Sequence, residues 1–293
     1  MQESGPSPET PRKPSSASAM TIAAKALLGV GLLLALMAVT ILSNESPEPA
    51  HTADVASTAA VPSTVPDASL TTVSLTSTTL TPLQAAQAEG GYLVVEAVTD
   101  PLKIYDRAPP GSVVSHSLPR NGYLDVLATF WAIDEAVDDQ GNTWYQVYVP
   151  VRPNETKGWV KASDVSTKVL THDVRLDLSE HRLDLYDRGT FVRSYDIGVG
   201  KGETPTPLGE YFVAIKMKTP NPDGVYGVQI MGLSGFSEKL TDWPGGGQVG
   251  VHGTNDPSTV GTDVSHGCIR LRNKDILELS NDVHLGTPVF VKD

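Results

Sequence analysis

Hydrophobic and polar positions alternate with a period of two over several short stretches beyond residue 92, the mark of strands that bury one face. Residues 93–97, 102–105, 123–133, 144–151 and 158–161 are runs rich in Val, Tyr, Trp and Leu, separated by Pro-Gly, Arg-Asn-Gly and Asp-Asp-Gln-Gly-Asn turn clusters. They predict a small all-β barrel over residues 91–166. From Asp173 the alternation restarts, with Val174, Leu176 and Leu178 on one face, Leu183 and Leu185 after a Ser179-Glu180-His181 turn, and a further strand after Asp187-Arg188-Gly189 that ends at Ile197. Adjacent hairpins of this kind predict an antiparallel sheet. A helical period appears only near the C-terminus. Asn273 as N-cap predicts a short helix through Asp282 with Ile276, Leu277 and Leu279 inward, and Gly286-Thr287-Pro288 then leads to a last strand at 289–291. The fold class is mainly β, with a second domain over residues 170–293.

The first ninety residues follow neither period. Residues 1–19 are Pro- and Ser-rich with Arg12 and Lys13 and read as a disordered tail. Residues 26–42 carry no charge, and extension back to Met20 adds only Lys25, so residues 20–42 have the length of a transmembrane helix. The run is longer than the apolar region of a signal peptide and has no clear cleavage site after it. Lys and Arg precede it and none follows through Gly90, which places the N-terminus in the cytoplasm and the rest of the chain outside a bacterial cell membrane. Residues 43–90 hold Ser, Thr, Pro, Ala and scattered acids without an aromatic residue, and predict a disordered linker.

Net charge changes the picture by exclusion. At −12 the chain lacks the basic surface that binding nucleic acid requires. Cysteine usage is more pointed: there is one Cys in 293 residues, so no intrachain disulfide can form, and a lone thiol facing an oxidising compartment is a candidate reactive group.

That thiol sits in an informative segment, Ser265-His266-Gly267-Cys268-Ile269-Arg270, with His252-Gly253-Thr254 upstream. Thiol catalysis needs a thiolate, and a neighbouring imidazolium can draw the thiol pKa down to roughly 3.5–7.5. Two histidines, sixteen and two residues before Cys268, supply such a neighbour. Gly253 and Gly267 permit tight turns beside them. In an extended segment Cys268, Arg270 and Arg272 share one face while Ile269 and Leu271 point inward, which sets a guanidinium able to grip a carboxylate beside the thiol.

These residues resemble the signature of the L,D-transpeptidase family, the YkuD-type catalytic domain, in which a His followed by Gly or Ser precedes a Ser/Thr-His-Gly-Cys block by a dozen or so residues. The likeness extends over about residues 172–292 and takes in Gly198-Val199-Gly200-Lys201 and Thr204-Pro205-Thr206-Pro207-Leu208-Gly209. It implies a β-sandwich catalytic domain with Cys268 as nucleophile and His252 as base. It also implies the Gly253 carbonyl orienting the imidazole, His266 and Gly267 shaping the site, backbone N–H groups near Cys268 as oxyanion hole, and Ser265 and Arg270 meeting substrate. The implied reaction uses no cofactor and no metal. The thiolate attacks the carbonyl between meso-diaminopimelate and the terminal D-Ala of a peptidoglycan stem tetrapeptide, D-Ala leaves, and an amine of a second stem resolves the thioester to a 3→3 cross-link. A carbapenem is the implied covalent inhibitor. Arg270 departs from the Cys-hydrophobic-Asn continuation of many members, which bears on substrate preference. The order Trp144-Tyr145-Gln146-Val147, a loop, then Gly158-Trp159-Val160 resembles the end of bacterial SH3-like domains, and makes the first barrel a candidate SH3-like domain.

Three other readings use the same residues. Water in place of the amine gives an L,D-carboxypeptidase. A scaffolding or cell-wall-binding protein would need no intact Cys268 and His252. A metal site on His252, His266 and Cys268 lacks the tightly spaced ligand pair common in zinc proteins.

Overall fold

The computed structural model describes residues 79–241 and 244–293. The expected tail, the expected membrane span at 20–42 and most of the expected linker lie outside the described residues. Among the described residues no helix is long and apolar enough to cross a membrane.

Order begins before the expected end of the linker. Helix α1 (Pro82–Ala88) starts at a capping box in which Gln84 N donates to Thr81 Oγ1 at 3.3 Å and Thr81 N donates to Gln84 Oε1 at 3.2 Å. Seven residues are too few to stand alone as a helix, and the burial of Leu83 and Ala86 against the first core holds them. Compositional polarity concealed this two-residue apolar stripe.

Seven strands follow: β1 (Tyr92–Ala97), β2 (Leu102–Tyr105), β3 (Val114–Leu118), β4 (Thr129–Val137), β5 (Thr143–Tyr148), β6 (Lys157–Lys161) and β7 (Val165–Leu170). They form one antiparallel sheet in the order β3-β2-β6-β5-β4-β1-β7. Its hydrogen bonding runs in a line and does not close β3 onto β7, in contrast to the expected barrel. The segments singled out at 144–147 and 158–160 are β5 and β6, paired with Gln146 opposite Trp159. The sequence missed β3, which is largely exposed and lacks an apolar run, and β7. It also ran one strand from residue 123, where the chain instead makes a short turn with Leu124 and Asp125 at positive φ.

The second half contains β8 (His172–Asp177), β9 (Arg182–Asp187), β10 (Thr190–Asp196), β11 (Val199–Gly200), β12 (Gly209–Lys218), β13 (Gln229–Phe236), β14 (Gln248–His252), β15 (Asp263–Ser265), β16 (Ile269–Arg270), helix α2 (Asn273–Asp282) and β17 (Pro288–Lys292). Eight of these strands form a sheet in the order β10-β9-β8-β17-β12-β13-β14-β16, and β11 pairs separately with β15. The long β12 belongs to both halves of that sheet. Residues 209–212 pair with β17, and after a bulge between Val213 and Ile215 the strand runs on against β13. The two halves enclose one core that includes Leu176, Leu183, Leu185, Ile197, Met231, Leu233, Val251 and Ile269. The sheet is mixed, where hairpins alone predicted an antiparallel one: β17 lies parallel to β8 and β14 parallel to β16. Helix α2 buries Ile276 and Leu279 as expected, but Leu277 is exposed.

The two sheets share apolar contacts. Phe212 of β12 is fully buried in the core of the first sheet with its ring 6.1 Å from Phe130, and Trp131 meets Phe290 of β17 at 5.6 Å. Tyr92 donates to Asp173 at 2.8 Å and Tyr148 donates to Glu210 at 2.6 Å across the same junction.

Candidate active site

The parallel pair β14–β16 brings the two catalytic candidates together. Val251 lies opposite Ile269 and His252 opposite Arg270, so Cys268, one residue before β16, is placed beside the strand that carries the histidine. Ile269 and Leu271 are fully buried and fix the side to which the intervening residues turn. Cys268, His252, Ser265, His266 and Arg270 line one cleft of about 250 Å³, together with Tyr226, Leu240 and Gly247.

A set of hydrogen bonds holds the turn before the thiol. Ser265 Oγ accepts from Gly267 N at 3.0 Å and donates to Cys268 O at 2.5 Å. Thr204 Oγ1 donates to Ser265 O at 3.2 Å, and Thr206 Oγ1 donates to Gly267 O at 3.0 Å while accepting from Gly200 N at 3.0 Å. The Thr204-Pro205-Thr206 loop thus grips two carbonyls of the Cys turn, a role its sequence did not reveal. Gly267 has φ +110°, a conformation that only glycine enters at low cost.

His252 is held from its other side. Its Nδ1 lies 2.5 Å from Gly253 O. A carbonyl oxygen only accepts, so Nδ1 carries the proton and Nε2 keeps its lone pair. Tyr226 packs edge-on to the imidazole at 4.9 Å between centroids. The Gly253 turn is fastened by Asn273, whose Oδ1 accepts from Thr254 N at 3.2 Å and Val228 N at 3.3 Å. A Cβ on Gly253 would lie 2.2 Å from that oxygen, so a larger residue there would push the Asn273 side chain out of these bonds. Asn273 is therefore not the N-cap read from sequence. Arg272 occupies the cap position without a side-chain cap bond, and Asn273 spends its side chain on a tertiary contact.

Both members of the pair are pushed toward neutrality. Burial lowers the His252 pKa to about 4, aided by the Arg270 charge and opposed by the bond to Gly253 O. Burial pushes the Cys268 thiol above its ordinary value, opposed by a hydrogen bond with the Gly250 backbone and by Arg270. Burial thus works against the thiolate–imidazolium pair expected from sequence. Removal from water disfavours both charges.

The remaining expectations divide. Arg270 lines the cleft, and its Nε is buried without a partner, so a donor is left for an incoming acceptor. Ser265 is 1% exposed with its hydroxyl committed at both ends; it shapes the turn and has no free group for substrate. Gly267 N–H is bonded to Ser265 Oγ, which removes one of the backbone donors expected for the oxyanion hole. His266 is exposed at the rim. Arg272 does not join the Cys268 face, because the chain enters α2 and the guanidinium pairs with Asp196 at 3.0 Å and Asp275 at 3.6 Å. Tyr226 was missed, since its loop has no periodic pattern. Among the described residues no three His, Cys, Asp or Glu side chains lie close enough to share a metal ion.

Comparison with known proteins follows this geometry. The YkuD family model, described as the L,D-transpeptidase catalytic domain, matches residues 171–291. A Bacillus licheniformis protein provisionally named L,D-transpeptidase YkuD is 38% identical over 122 residues, 42% of this chain and 66% of that protein. Its namesake in Bacillus subtilis strain 168 is 33% identical over the same length and shares. An Escherichia coli K12 protein provisionally named L,D-transpeptidase ErfK/SrfK is 33% identical over 135 residues, 40% of this chain and 43% of that protein. The chain spans just under two thirds of the first two relatives and less than half of the third. The stretch from residue 171 to 291, which contains Cys268 and His252, is thus similar to the YkuD-type L,D-transpeptidase catalytic domains.

Proposed function

We propose that this protein is a peptidoglycan L,D-transpeptidase that forms 3→3 cross-links through a thioester on Cys268. The observation that carries the reading is the tautomer of His252: with Nδ1 donating to Gly253 O, the free lone pair on Nε2 belongs to a ring that lines the same cleft as the only thiol. As the thiol attacks the donor carbonyl, Nε2 takes its proton, and the imidazolium returns it to the departing D-Ala amine. The acceptor amine then attacks the thioester, gives up its proton to Nε2, and the thiol is restored. Each acyl bond broken is replaced by another, so the exchange needs no nucleotide. Arg270, with an unpartnered Nε, is suited to a carboxylate of the stem peptide.

In this reading residues 20–42 anchor the chain in the cell membrane, with its N-terminus cytoplasmic and the catalytic domain outside, where stem peptides are found. A chain isolated from membranes should begin near Met1; a start between Ser43 and Thr58 would replace the anchor with a cleaved leader.

The central test incubates the full chain in detergent with a disaccharide-tetrapeptide and identifies products by mass spectrometry. Release of D-Ala with a cross-linked dimer is expected, and Cys268→Ala and Cys268→Ser should abolish it. Tripeptide without dimer would make the enzyme an L,D-carboxypeptidase. More than a few per cent of turnover in Cys268→Ala would remove Cys268 as the nucleophile. A carbapenem should add once per chain, at Cys268, because its strained carbonyl imitates the donor and the thioester resolves slowly.

A further inference from the structure

A loop of the N-terminal sheet reaches the wall of the catalytic cleft. Between β5 and β6, Arg152 Nη1 donates to Ser237 O at 2.7 Å and Nη2 donates to Gly246 O at 2.8 Å, and the guanidinium lies 5.2 Å from the centre of the Phe236 ring. Asn154 makes two bonds to the backbone of Phe236: Phe236 N donates to Oδ1 and Nδ2 donates to Phe236 O, both at 2.8 Å. Glu155 Oε1 accepts from Glu210 N at 3.0 Å. Every hydrogen-bond partner on the catalytic side is a main-chain group. The carboxamide of Asn154 gives the end of β13 the donor–acceptor pair that a neighbouring strand would give it.

What the loop holds is a wall of the cleft. Ser237 N donates to Gly247 O at 2.8 Å, so the two ends of the segment between them lie side by side, and Arg152 ties both ends at once. Ser237, Leu240, Gly247 and Gln248 line the cleft that contains Cys268 and His252. The C-terminal end of this wall is three glycines, 245–247, with φ of +76°, +68° and +75°. Such a run has no side chains to hold it and a large conformational freedom to lose, so its arrangement depends on a fastening from outside.

We infer that Arg152 and Asn154, on the N-terminal sheet, are positioning residues for the catalytic cleft, and that through them the N-terminal half sets how tightly the donor peptide is held. The inference rests on the transpeptidase reading for its substrate. Neither residue touches the reacting atoms. Unfastened, the wall populates its binding-competent arrangement only part of the time, and apparent affinity falls by that fraction.

The test uses the full chain in detergent. Arg152→Met keeps the apolar stem and removes both donors; Arg152→Lys leaves a single-point cation in place of the two-pronged clip. Asn154→Asp, close in shape, loses the donated N–H and sets a carboxylate against Phe236 O. Arg152→Met and Asn154→Asp should each raise KM for the tetrapeptide donor about tenfold with kcat within about twofold of wild type, as when the competent arrangement holds a tenth of the time. Arg152→Lys should fall between. Alkylation of Cys268 by iodoacetamide, which is small enough to need no shaped wall, should keep its wild-type rate and amplitude. A purely structural role gives a different result: a smaller folded fraction lowers kcat, leaves KM unchanged and adds a second alkylation phase at the rate of the denatured chain, whose thiol is exposed. That outcome, or wild-type kinetics in both Arg152→Met and Asn154→Asp, overturns the inference while the transpeptidase reading stands. If the wild type releases no D-Ala, both fall.

Discussion

Replacing His252 by Ala removes the base and leaves the thiol to ionise by itself. The structure sets the scale. Burial holds the Cys268 thiol above its ordinary value, and a thiol at about 8.5 is only about 3% ionised at pH 7. The variant should therefore react through a minor species. Acylation at pH 7 should fall by about a hundredfold or more, the usual contribution of a positioned acid–base group. Between pH 7 and 9 its rate should climb steeply, by up to about tenfold per unit, because the thiolate fraction rises tenfold per unit below the pKa and burial holds that pKa up. The wild type has a different profile. Its His252, lowered to about 4, is neutral through the physiological range, so the rate should be nearly flat from pH 6 to 8 and fall on the acid side as Nε2 takes a proton. The assay is carbapenem acylation followed by intact mass, which is unambiguous in a chain with one cysteine. His266→Ala, at the exposed rim, should keep the wild-type shape. A wild-type rate that rises tenfold per pH unit between 6 and 8, or alkaline rescue confined to the His266 variant, would refute the assignment of His252 as base.

Asn273→Ala leaves the Thr254 and Val228 N–H groups without their acceptor; the bonds are long and Val228 is only half-buried, so the loss should be about 2 kcal/mol by urea denaturation. Asn273→Asp keeps the acceptor and should lose less than half as much; equal losses would mean that the contact is not what holds the turn. Gly267→Ala should cost about 1–3 kcal/mol, since alanine must enter φ near +110°, and the same denaturation series would expose a neutral result. Because the folded-state pKa of His252 lies below its ordinary 6.5, its contribution to stability is complete above pH 6.5 and is lost as pH falls toward 4, by up to about 3 kcal/mol. His252→Gln should lack that component, and parallel pH–stability curves for the two proteins would contradict it.

Local pattern was enough for the strand-dominated class, the bounds of β2, the C-terminal end of α2 and the choice of a lone Cys268 with His252 as candidates, because alternation and residue chemistry are local properties that survive without a fold. Beyond the hairpins β8–β9 and β9–β10 it could not determine which strands lie side by side. The parallel contacts of β14 with β16 and of β17 with β8 join segments distant along the chain, and parallel pairing leaves no turn signature between its partners. The same non-local placement decided the side chains that local rules misread. Asn273 looked like a cap because it begins a helix, yet it fastens the Gly253 turn; Ser265 looked available for substrate, yet its hydroxyl is spent inside its own turn. Charge state was decided at this level too. The sequence supplies an imidazole and a thiol, but whether they rest as an ion pair or as neutral partners depends on how much water the surrounding strands remove, and burial disfavours both charges.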